Sequence, residues 1–582
     1  MRTRANALAD DFEEGSGTKE CIDEAIKLDR QALELCPSDH PDRSGSSSML
    51  AIHLWARYRQ LGEIADLDEA IALDREALRL RPPGHPDRPV ALDSLALYLT
   101  TRYTQLGRTE DLDEAVILGQ EGLSLCPPGR PDRPAFLNNH AGALSTRYRQ
   151  LGRMEDLDEA ISLVREALDL HLPEHPQRHV SLINLALYLS HRYDQLGQMT
   201  DLDLAISLSR EVLVPLPSSG VDHAASLDLL GNLLSTRYEI LGASEDLKEA
   251  IVLTRDSLPL RPEGHPDRSS SLADLAAHLF KRYEHLGEVG DLDEAIVLDR
   301  EALDLRPHGH HKRSISLGSL ANRLYARYER QRSIEDLNQA IFLHREALAL
   351  QSPSHPDRGT TLDNLANCLG TRFQQLGATE DLEVAIVLTR EALELSPPGN
   401  PTRAITLNNL SVRLFLRYQK FGDVADLDQG IIVGQNALAL LPQDHPDRAM
   451  GMNVLAAHLS RRYDEFKQKD DQDEGIALYR EALEACPLGH VRRWMLLNNL
   501  AATLYNRYEE LGSMADLDEA IDLGRDTLAL RPAGHPDRFG AITNLTARLS
   551  ARFARLNHAS DKEEMSNLYA ELAHAPRASR AD

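Results

Sequence analysis

Residues 57–103 read RYRQLGEIADLDEAIALDREALRLRPPGHPDRPVALDSLALYLTTRY, a segment with an arginine-aromatic pair at each end. The pair recurs every 45 residues without insertion or deletion, at Arg57-Tyr58, Arg102-Tyr103, Arg147-Tyr148, Arg192-Tyr193, Arg237-Tyr238, Arg282-Tyr283, Arg327-Tyr328, Arg372-Phe373, Arg417-Tyr418, Arg462-Tyr463, Arg507-Tyr508 and Arg552-Phe553. A fixed period of this length indicates an array in which one supersecondary unit stacks on the next. We therefore expect a solenoid of about twelve repeats.

Each repeat has the pattern of two amphipathic helices. Asp66 is predicted to open the first helix, with Glu69 three residues later as its capping-box partner. A Pro-Pro-Gly run at 82–84 ends that helix. A second, longer helix is expected to begin in the His-Pro-Asp-Arg run at 85–88 and to stop at Gly107. Each repeat is thus predicted to be a helical hairpin, and the fold all-α.

Several short runs resemble tetratricopeptide repeats, in the lengthened form of kinesin light chains. They are DLDEAI at 516–521, then Leu528, Pro532, GHPDR at 534–538 and NL at 544–545. The resemblance implies a right-handed α-solenoid superhelix of about twelve 45-residue helix-turn-helix repeats, with the longer helix lining a concave groove. It covers roughly residues 17–575 and leaves 1–16 and 576–582 as tails, with a short closing helix near 561–573.

The amino-acid sequence of the repeat is also similar to that of fungal repeat arrays that usually precede a caspase-like CHAT protease domain. Only a short helix and a tail are expected between Phe553 and Asp582, so no such catalytic domain is expected in this chain. One alternative function follows from this likeness: the chain would be the recognition or regulatory part of a CHAT protease system, acting with a separate or missing catalytic domain.

The composition narrows the classes of partner. The formal net charge is −27, from 91 acidic against 64 basic residues, which argues against a nucleic-acid-binding surface. The N-terminal sequence lacks the apolar core of a signal peptide, and no apolar run reaches the roughly 18 residues of a membrane span. The five cysteines form no Cys-x-x-Cys pair, so neither a disulfide framework nor a zinc site is indicated. A cytoplasmic protein without membrane contact is expected.

Histidines recur in one column of the repeat, at His40, His85, His175, His265, His310, His355, His445, His490 and His535. Metal ligands must converge within about 2 Å of one ion, whereas residues one per repeat lie about 10 Å apart. We therefore expect these loop histidines to cap the longer helix at a tight His-Pro turn and not to bind metal. The sequence has no phosphate-binding glycine loop, no nucleophile elbow and no activated Cys-His pair. The chain is expected to be non-enzymatic and free of cofactors, and an enzyme that uses the groove as a substrate cavity is the least favoured alternative.

Two polar columns are candidates for ligand contacts. The arginine column fits either pairing with an acidic residue nine to twelve positions later or an anion ladder in the groove. The asparagine column is the candidate peptide-binding set, because asparagine is a poor residue inside a helix and its recurrence needs a reason. An amide can bind the backbone of an extended peptide, or it can bond the helix of the neighbouring repeat. The column consists of Asn139, Asn184, Asn364, Asn409, Asn499 and Asn544, and the preceding position adds Asn138, Asn408, Asn453 and Asn498.

The sequence therefore predicts a non-enzymatic scaffold that holds a peptide or protein segment in the concave groove of a tetratricopeptide superhelix.

Overall fold

The chain forms two compact units, Met1–Gln339 and Ala340–Asp582, in a computed structural model. The structure describes residues 2–13, 19–38, 40–171, 175, 177–213, 221–310, 312–353, 355, 357–396, 401–441, 445, 448–486, 493–531 and 538–574. Every regular element in these residues is a helix.

The helices alternate between short and long. The first fifteen are α1 Arg2–Glu13, α2 Lys19–Glu34, α3 Arg43–Leu61, α4 Ile64–Arg79, α5 Arg88–Leu106, α6 Thr109–Ser124, α7 Arg133–Leu151, α8 Met154–Leu170, α9 Arg178–Leu196, α10 Met199–Leu213, α11 Val221–Leu241, α12 Ser244–Ser257 with a 3₁₀ turn at Leu258–Leu260, α13 Arg268–Leu286, α14 Val289–Asp304 and α15 Arg313–Gln331. The others are α16 Ile334–Leu350, which contains the division between the units, α17 Arg358–Leu376, α18 Thr379–Leu395, α19 Pro401–Phe421, α20 Val424–Leu440, α21 Arg448–Phe466, α22 Lys469–Ala485, α23 Arg493–Leu511, α24 Met514–Ala529, α25 Arg538–Leu556 and α26 Ala559–His574. From α2 onward, even-numbered helices are the short helices and odd-numbered helices are the long helices.

The tightest hairpin joins each long helix to the short helix that follows it. Helices α3 and α4 are connected by Gly62 and Glu63 alone, and they pack more extensively than α2 and α3 do. Gly62 adopts φ 74°, and its N–H donates to the Tyr58 carbonyl at 2.8 Å. A left-handed residue at this position ends the long helix and reverses the chain at once. The consecutive packing of such hairpins confirms the prediction of an all-α helical-repeat solenoid.

The other connection in the repeat is the longer loop around the histidine column. The Nδ1 atom of His85 accepts from the backbone N–H of Asp87 at 3.1 Å, and the long helix begins one residue later at Arg88. The same bond of 3.1–3.2 Å is made by His40, His175, His265, His310 and His355. The loop-capping role expected for the histidines is therefore confirmed at these positions; His490 and His535 lie outside the described residues.

The start of the short helices differs from the sequence prediction. Helix α4 begins at Ile64, with Glu63 in extended conformation as its N-cap, so the expectation that Asp66 caps the helix is wrong. The Asp66 N–H donates to the Glu63 carbonyl at 2.9 Å, which already places Asp66 in the first turn. Its carboxylate does not cap the helix because Arg57 binds both of its oxygens.

The apolar stripes predicted from the sequence form the core between helices. Leu92, Leu95 and Leu99 of α5 are at most 1 % exposed, and the small residue Ala70 of α4 is fully buried. Small residues at such contacts allow helix axes to approach closely. This apolar core holds adjacent helices in register and fixes where each polar column lies.

The N-terminal segment differs from the expected tail at 1–16. Residues Arg2–Glu13 form α1, and Ala5 and Ala9 are buried among the first apolar cluster. Two small residues four positions apart give α1 a face that fits against its neighbours, a pattern too brief to stand out in the sequence. The closing helix expected near 561–573 is confirmed as α26, and the C-terminal tail at 576–582 lies outside the described residues.

Candidate functional site

The arginine column forms an ion pair at the corner of every hairpin. The guanidinium of Arg57 donates to Asp66 through Nε at 2.7 Å and through Nη2 at 2.6 Å. The arginine nine residues before each equivalent aspartate does the same in all twelve copies, at 2.5–3.1 Å. Two parallel charge-assisted bonds match the planar guanidinium to the planar carboxylate.

These pairs explain the column as part of the scaffold. The aspartate is nearly buried, with Asp66 5 % exposed and Asp561 fully buried. The hydrogen bonds that Arg57 donates to Asp66 raise the pKa of Arg57, and Arg552 lowers the pKa of Asp561. The structural pairing predicted from the sequence is confirmed. Each arginine already binds an aspartate carboxylate, which an acidic ligand in the groove would have to displace.

The asparagine column lies along the long helices and connects consecutive repeats. Asn139 of α7 donates through Nδ2 to the Asp93 carboxylate of α5 at 2.8 Å. Asn409 of α19 donates to Asp363 of α17 at 2.9 Å. In each bond the acceptor belongs to the preceding repeat and lies one residue before the position equivalent to the asparagine. The result is a series of polar links from one long helix to the next.

The same geometry holds where the acceptor is an amide. Asn184 donates to Asn138 Oδ1 at 3.2 Å, Asn499 to Asn453 at 3.0 Å and Asn544 to Asn498 at 3.3 Å. The sixth member of the column, Asn364, is half-buried and also has an interaction partner. We call the side chains of Asn139, Asn184, Asn364, Asn409, Asn499 and Asn544 the amide ladder.

The ladder retains hydrogen-bonding groups after the inter-repeat bonds are made. Each bond uses one hydrogen of the amide nitrogen, whereas a side-chain amide offers two donors and an acceptor oxygen. All the column members are half-buried except Asn544, which is exposed. The bond to the neighbouring helix, one of the two roles considered from the sequence, is thus present at five positions. These bonds do not use the amide oxygens of Asn139, Asn184, Asn409, Asn499 and Asn544.

A second polar column was missed by the sequence prediction. His53, His278, Arg323, Arg413, His458 and Arg548 occupy one position of the long helix and are only 1–5 % exposed. Several of them bind a polar residue of the preceding short helix: His53 Nδ1 lies 2.5 Å from Asp29, and Arg323 lies 2.6 Å from Asp299. The signal in the sequence was a basic residue on an apolar face with a polar residue 24 positions earlier.

Where this buried column meets the amide ladder, opposite charges can come together. Arg413 lies 3.5 Å from Asp363, the carboxylate that also accepts from Asn409. Ala143 takes the position of Arg413 beside Asp93, so among the described residues the hydrogen-bond donor to this carboxylate is Asn139. Burial, together with nearby Asp132, raises the pKa of Asp93 to about 7, although the bond from Asn139 opposes the shift.

The described residues hold no cluster of three or more His, Cys, Asp or Glu side chains suited to a metal ion. The five cysteines are free thiols. Within the part of the chain that the structure describes, no helix has the length and apolar character needed to cross a bilayer. The polar groups of the long helices are therefore the chemistry that the described structure offers to a partner.

Comparison with known proteins identifies the repeat. A family model described as tetratricopeptide repeat matches residues 495–537, which covers most of α23 and all of α24. The resemblance to tetratricopeptide repeats is thereby confirmed. The matched segment also sets the order of the repeat, long helix first and short helix second, as in the tight hairpins of the structure.

Solved structures similar to the chain include the human IFIT1 dimer with PPP-AAAA, at 15 % identity and TM-score 0.42, covering 84 % of this chain and 94 % of that one. The human IFIT1 dimer with m7Gppp-AAAA is similar at 16 % identity and TM-score 0.42, with 85 % and 99 % covered. No curated protein matches the sequence.

Proposed function

We propose that this tetratricopeptide-repeat protein is a non-enzymatic scaffold that binds an extended peptide segment along the amide ladder. The observation that carries the proposal is the ladder itself: three pairs of side-chain amides in neighbouring repeats, five of which are held in place by a bond to the preceding long helix. An amide fixed in this way can accept a hydrogen bond from a peptide N–H without first losing rotamer freedom.

The spacing of the ladder suits an extended chain. Neighbouring long helices pack about 10 Å apart. An extended peptide rises about 3.3 Å per residue. One repeat therefore corresponds to about three peptide residues, so two backbone amides of the ligand about three residues apart would meet the two ladder amides of one pair. Backbone recognition of this kind gives affinity, while side-chain preference comes from the variable positions beside the ladder.

A matched pair of variants tests this role. The probe is a fluorescein-labelled peptide selected on the full chain from a random twelve-residue library, and its affinity is measured by fluorescence polarisation. Asn499→Ala removes a ladder amide, whereas Asn453→Ala removes only the acceptor of the same 3.0 Å bond. We expect Asn499→Ala to weaken binding by about 1 kcal/mol, or roughly fivefold, and Asn453→Ala to weaken it clearly less, because that variant frees the Asn499 rotamer but keeps its amide.

Equal loss of affinity in both variants would show that the asparagines act only between repeats. A scan of N-methylated backbone positions along the peptide gives an independent readout, because methylation removes one peptide donor at a time. Sensitivity at two positions about three residues apart supports binding to a pair of ladder amides, and uniform sensitivity contradicts it.

That the chain acts together with a separate CHAT-type protease stays a prediction, which rests on the sequence similarity of the repeat. Co-purification of the full chain with such a protease from its native cell, lost in a Asn364→Ala, Asn409→Ala, Asn499→Ala triple variant, would support it. Binding that persists in the triple variant would place the contact away from the ladder.

A further inference from the structure

Arg413 and Arg548 occupy the same position of the repeat, three repeats apart, in the second unit. The Arg413 guanidinium is fully engaged inside the protein. It donates through Nη1 to Thr389 Oγ1 at 2.7 Å and through Nη2 to Asn367 Oδ1 at 2.6 Å. The Asp363 carboxylate, 3.5 Å away, balances its charge. Thr389 belongs to α18, whereas Asn367 and Asp363 both belong to α17, so the guanidinium of α19 lies where three helices meet.

Every one of these partners is replaced around Arg548. Gly524 stands where Thr389 does, Ala502 where Asn367 does, and Asn498 where Asp363 does. Together the three exchanges remove a hydroxyl, a carboxamide and a negative charge. The cation remains and its internal ligands are gone.

The structure shows Arg548 buried without a replacement. The residue is 4 % exposed, and among the described residues it has no hydrogen bond or ion pair. A Cβ built on Gly524 would lie 3.1 Å from Arg548 Nη1, so the guanidinium sits directly over the glycine backbone. Burial lowers the pKa of Arg548 to about 10, with the Tyr505 hydroxyl as the one nearby group that favours the charged form. A buried charge without a partner is costly, and an anion bound beside it would remove that cost.

We propose that Arg548 and Asn498 form a binding site for an organic carboxylate. The Asn498 oxygen accepts from Asn544 Nδ2 at 3.3 Å, which turns the Asn498 amide nitrogen away from Asn544. The groups left for a ligand are thus the amide N–H of Asn498 and the guanidinium of Arg548, all of them donors. A site of donors alone selects an anion.

The shape of the missing side chain favours a carboxylate over a phosphate. The group lost between Asn367 and Ala502 is a planar carboxamide of three heavy atoms, and a carboxylate has the same planar shape. A single guanidinium also matches one negative charge and binds a planar carboxylate through parallel bonds. This site goes beyond the peptide scaffold and does not depend on it, because a free carboxylate would satisfy Arg548 without any contact to the ladder.

Two sources of carboxylate are separated by the choice of probes. Sodium acetate represents a free carboxylate, and the blocked peptide Ac-Ala-Glu-Ala-NH2 represents an acidic side chain. Ac-Ala-Gln-Ala-NH2 is the neutral control, and sodium chloride holds the ionic strength constant. The readout is hydrogen-exchange protection of α23 and α25 in the full chain. One charge-assisted contact corresponds to half-saturation in about the millimolar range.

Two variants test the residues. Arg548→Gln removes the cation, and we expect it to abolish the carboxylate-dependent protection. Gly524→Asp places an internal carboxylate where Asp299 binds Arg323 at 2.6 Å in another repeat. We expect Gly524→Asp to slow exchange in α25 without ligand and to abolish the further effect of acetate. The control is Arg413→Gln, which is expected to retain the full acetate effect.

A response to acetate alone assigns the site to a free carboxylate, and a stronger response to the glutamate peptide assigns it to an acidic segment. The proposal is overturned if neither probe changes protection in the wild-type chain relative to chloride. It is also overturned if Arg548→Gln and Gly524→Asp both keep the wild-type response. Failure of these tests leaves peptide binding to the ladder unaffected, because that is measured at Asn499 with a different probe.

Discussion

Two neighbouring positions of the long helices carry side chains of different charge at three places in the array. In the second unit, Asp363 and Arg413 place a carboxylate beside a guanidinium. In the first unit, Asp93 faces Ala143, so the basic residue of the pair is replaced by an apolar one. Near the end of the second unit, Arg548 faces Asn498, so the acidic residue of the pair is replaced by a neutral one. The repeat therefore contains the complete ion pair, the acid alone and the base alone.

The comparison shows how an array can vary chemically without changing its fold. The apolar residues that pack the long helices are buried in all three places: Leu95, Leu365 and Leu500 are 1–3 % exposed. Hydrophobic burial is the main stabilising contribution to a helical array, so one mismatched polar pair is tolerated. The mismatched residues instead have altered pKa values: the pKa of Asp93 is raised to about 7, and that of Arg548 is lowered to about 10.

The largest predicted effect comes from removing the two arginines separately. Arg413→Met leaves the Asp363 carboxylate without its cation, and breaking a buried pair costs about 3–5 kcal/mol. Arg548→Met replaces an unpaired buried cation by an apolar side chain of similar length, so we expect a gain of about 1 kcal/mol. The measurement is native-state hydrogen exchange of α19 and α25, because a repeat array opens locally and not in one step. Destabilisation of the same size in both helices would show that the two arginines have equivalent surroundings.

The second prediction concerns the acid without a base. The pKa of Asp93 is about 7 in the folded protein and 3.8 as the ordinary value, so the folded chain binds more protons between these limits. The unfolding free energy of the surrounding helices should therefore fall as the pH rises from about 4 to 7, and stay low above that. Asp93→Asn keeps an oxygen for Asn139 and removes the charge. We expect it to raise that free energy at pH 8 by up to roughly 4 kcal/mol.

The matched control for Asp93→Asn is the pH profile of the same helices in the wild-type chain. Asp74 also has a pKa raised to about 7 by burial, and it titrates in both proteins. The difference between the two profiles isolates Asp93. Identical slopes from pH 4 to 7 would mean that Asp93 is ionised in the folded state throughout this range.

The fold was predictable from the sequence because its signals repeat. A helix pattern that recurs at one spacing is averaged over many copies. A single exception, such as Thr527 at the position equivalent to Ala77, therefore does not obscure the pattern. The start of the short helix was predicted wrongly because aspartate is a common N-cap residue. Only the structure shows that Asp66 is instead the acceptor of Arg57, nine residues earlier.

The polar sites were harder to predict because they depend on pairs from different helices. The asparagine column was found by its spacing, but its acceptor lies one position earlier in the preceding repeat. Arg548 looks like any other basic residue of the sequence. Its lack of partners emerges only when Gly524, Ala502 and Asn498 are placed around it by the packing of three helices.

The smallest predicted effect comes from completing the pair at Arg548. Asn498→Asp reproduces the Asp363 position, and an aspartate oxygen can still accept from Asn544. Since Asp363 lies 3.5 Å from Arg413, the new pair should be loose, and we expect about 1 kcal/mol of added stability in α25. The same substitution should remove the response to acetate, because the internal carboxylate then pairs with the Arg548 guanidinium. Hydrogen exchange of α25 with and without acetate measures both effects. A chain that gains stability yet keeps its acetate response would place the anion away from Asn498, on another side of the Arg548 guanidinium.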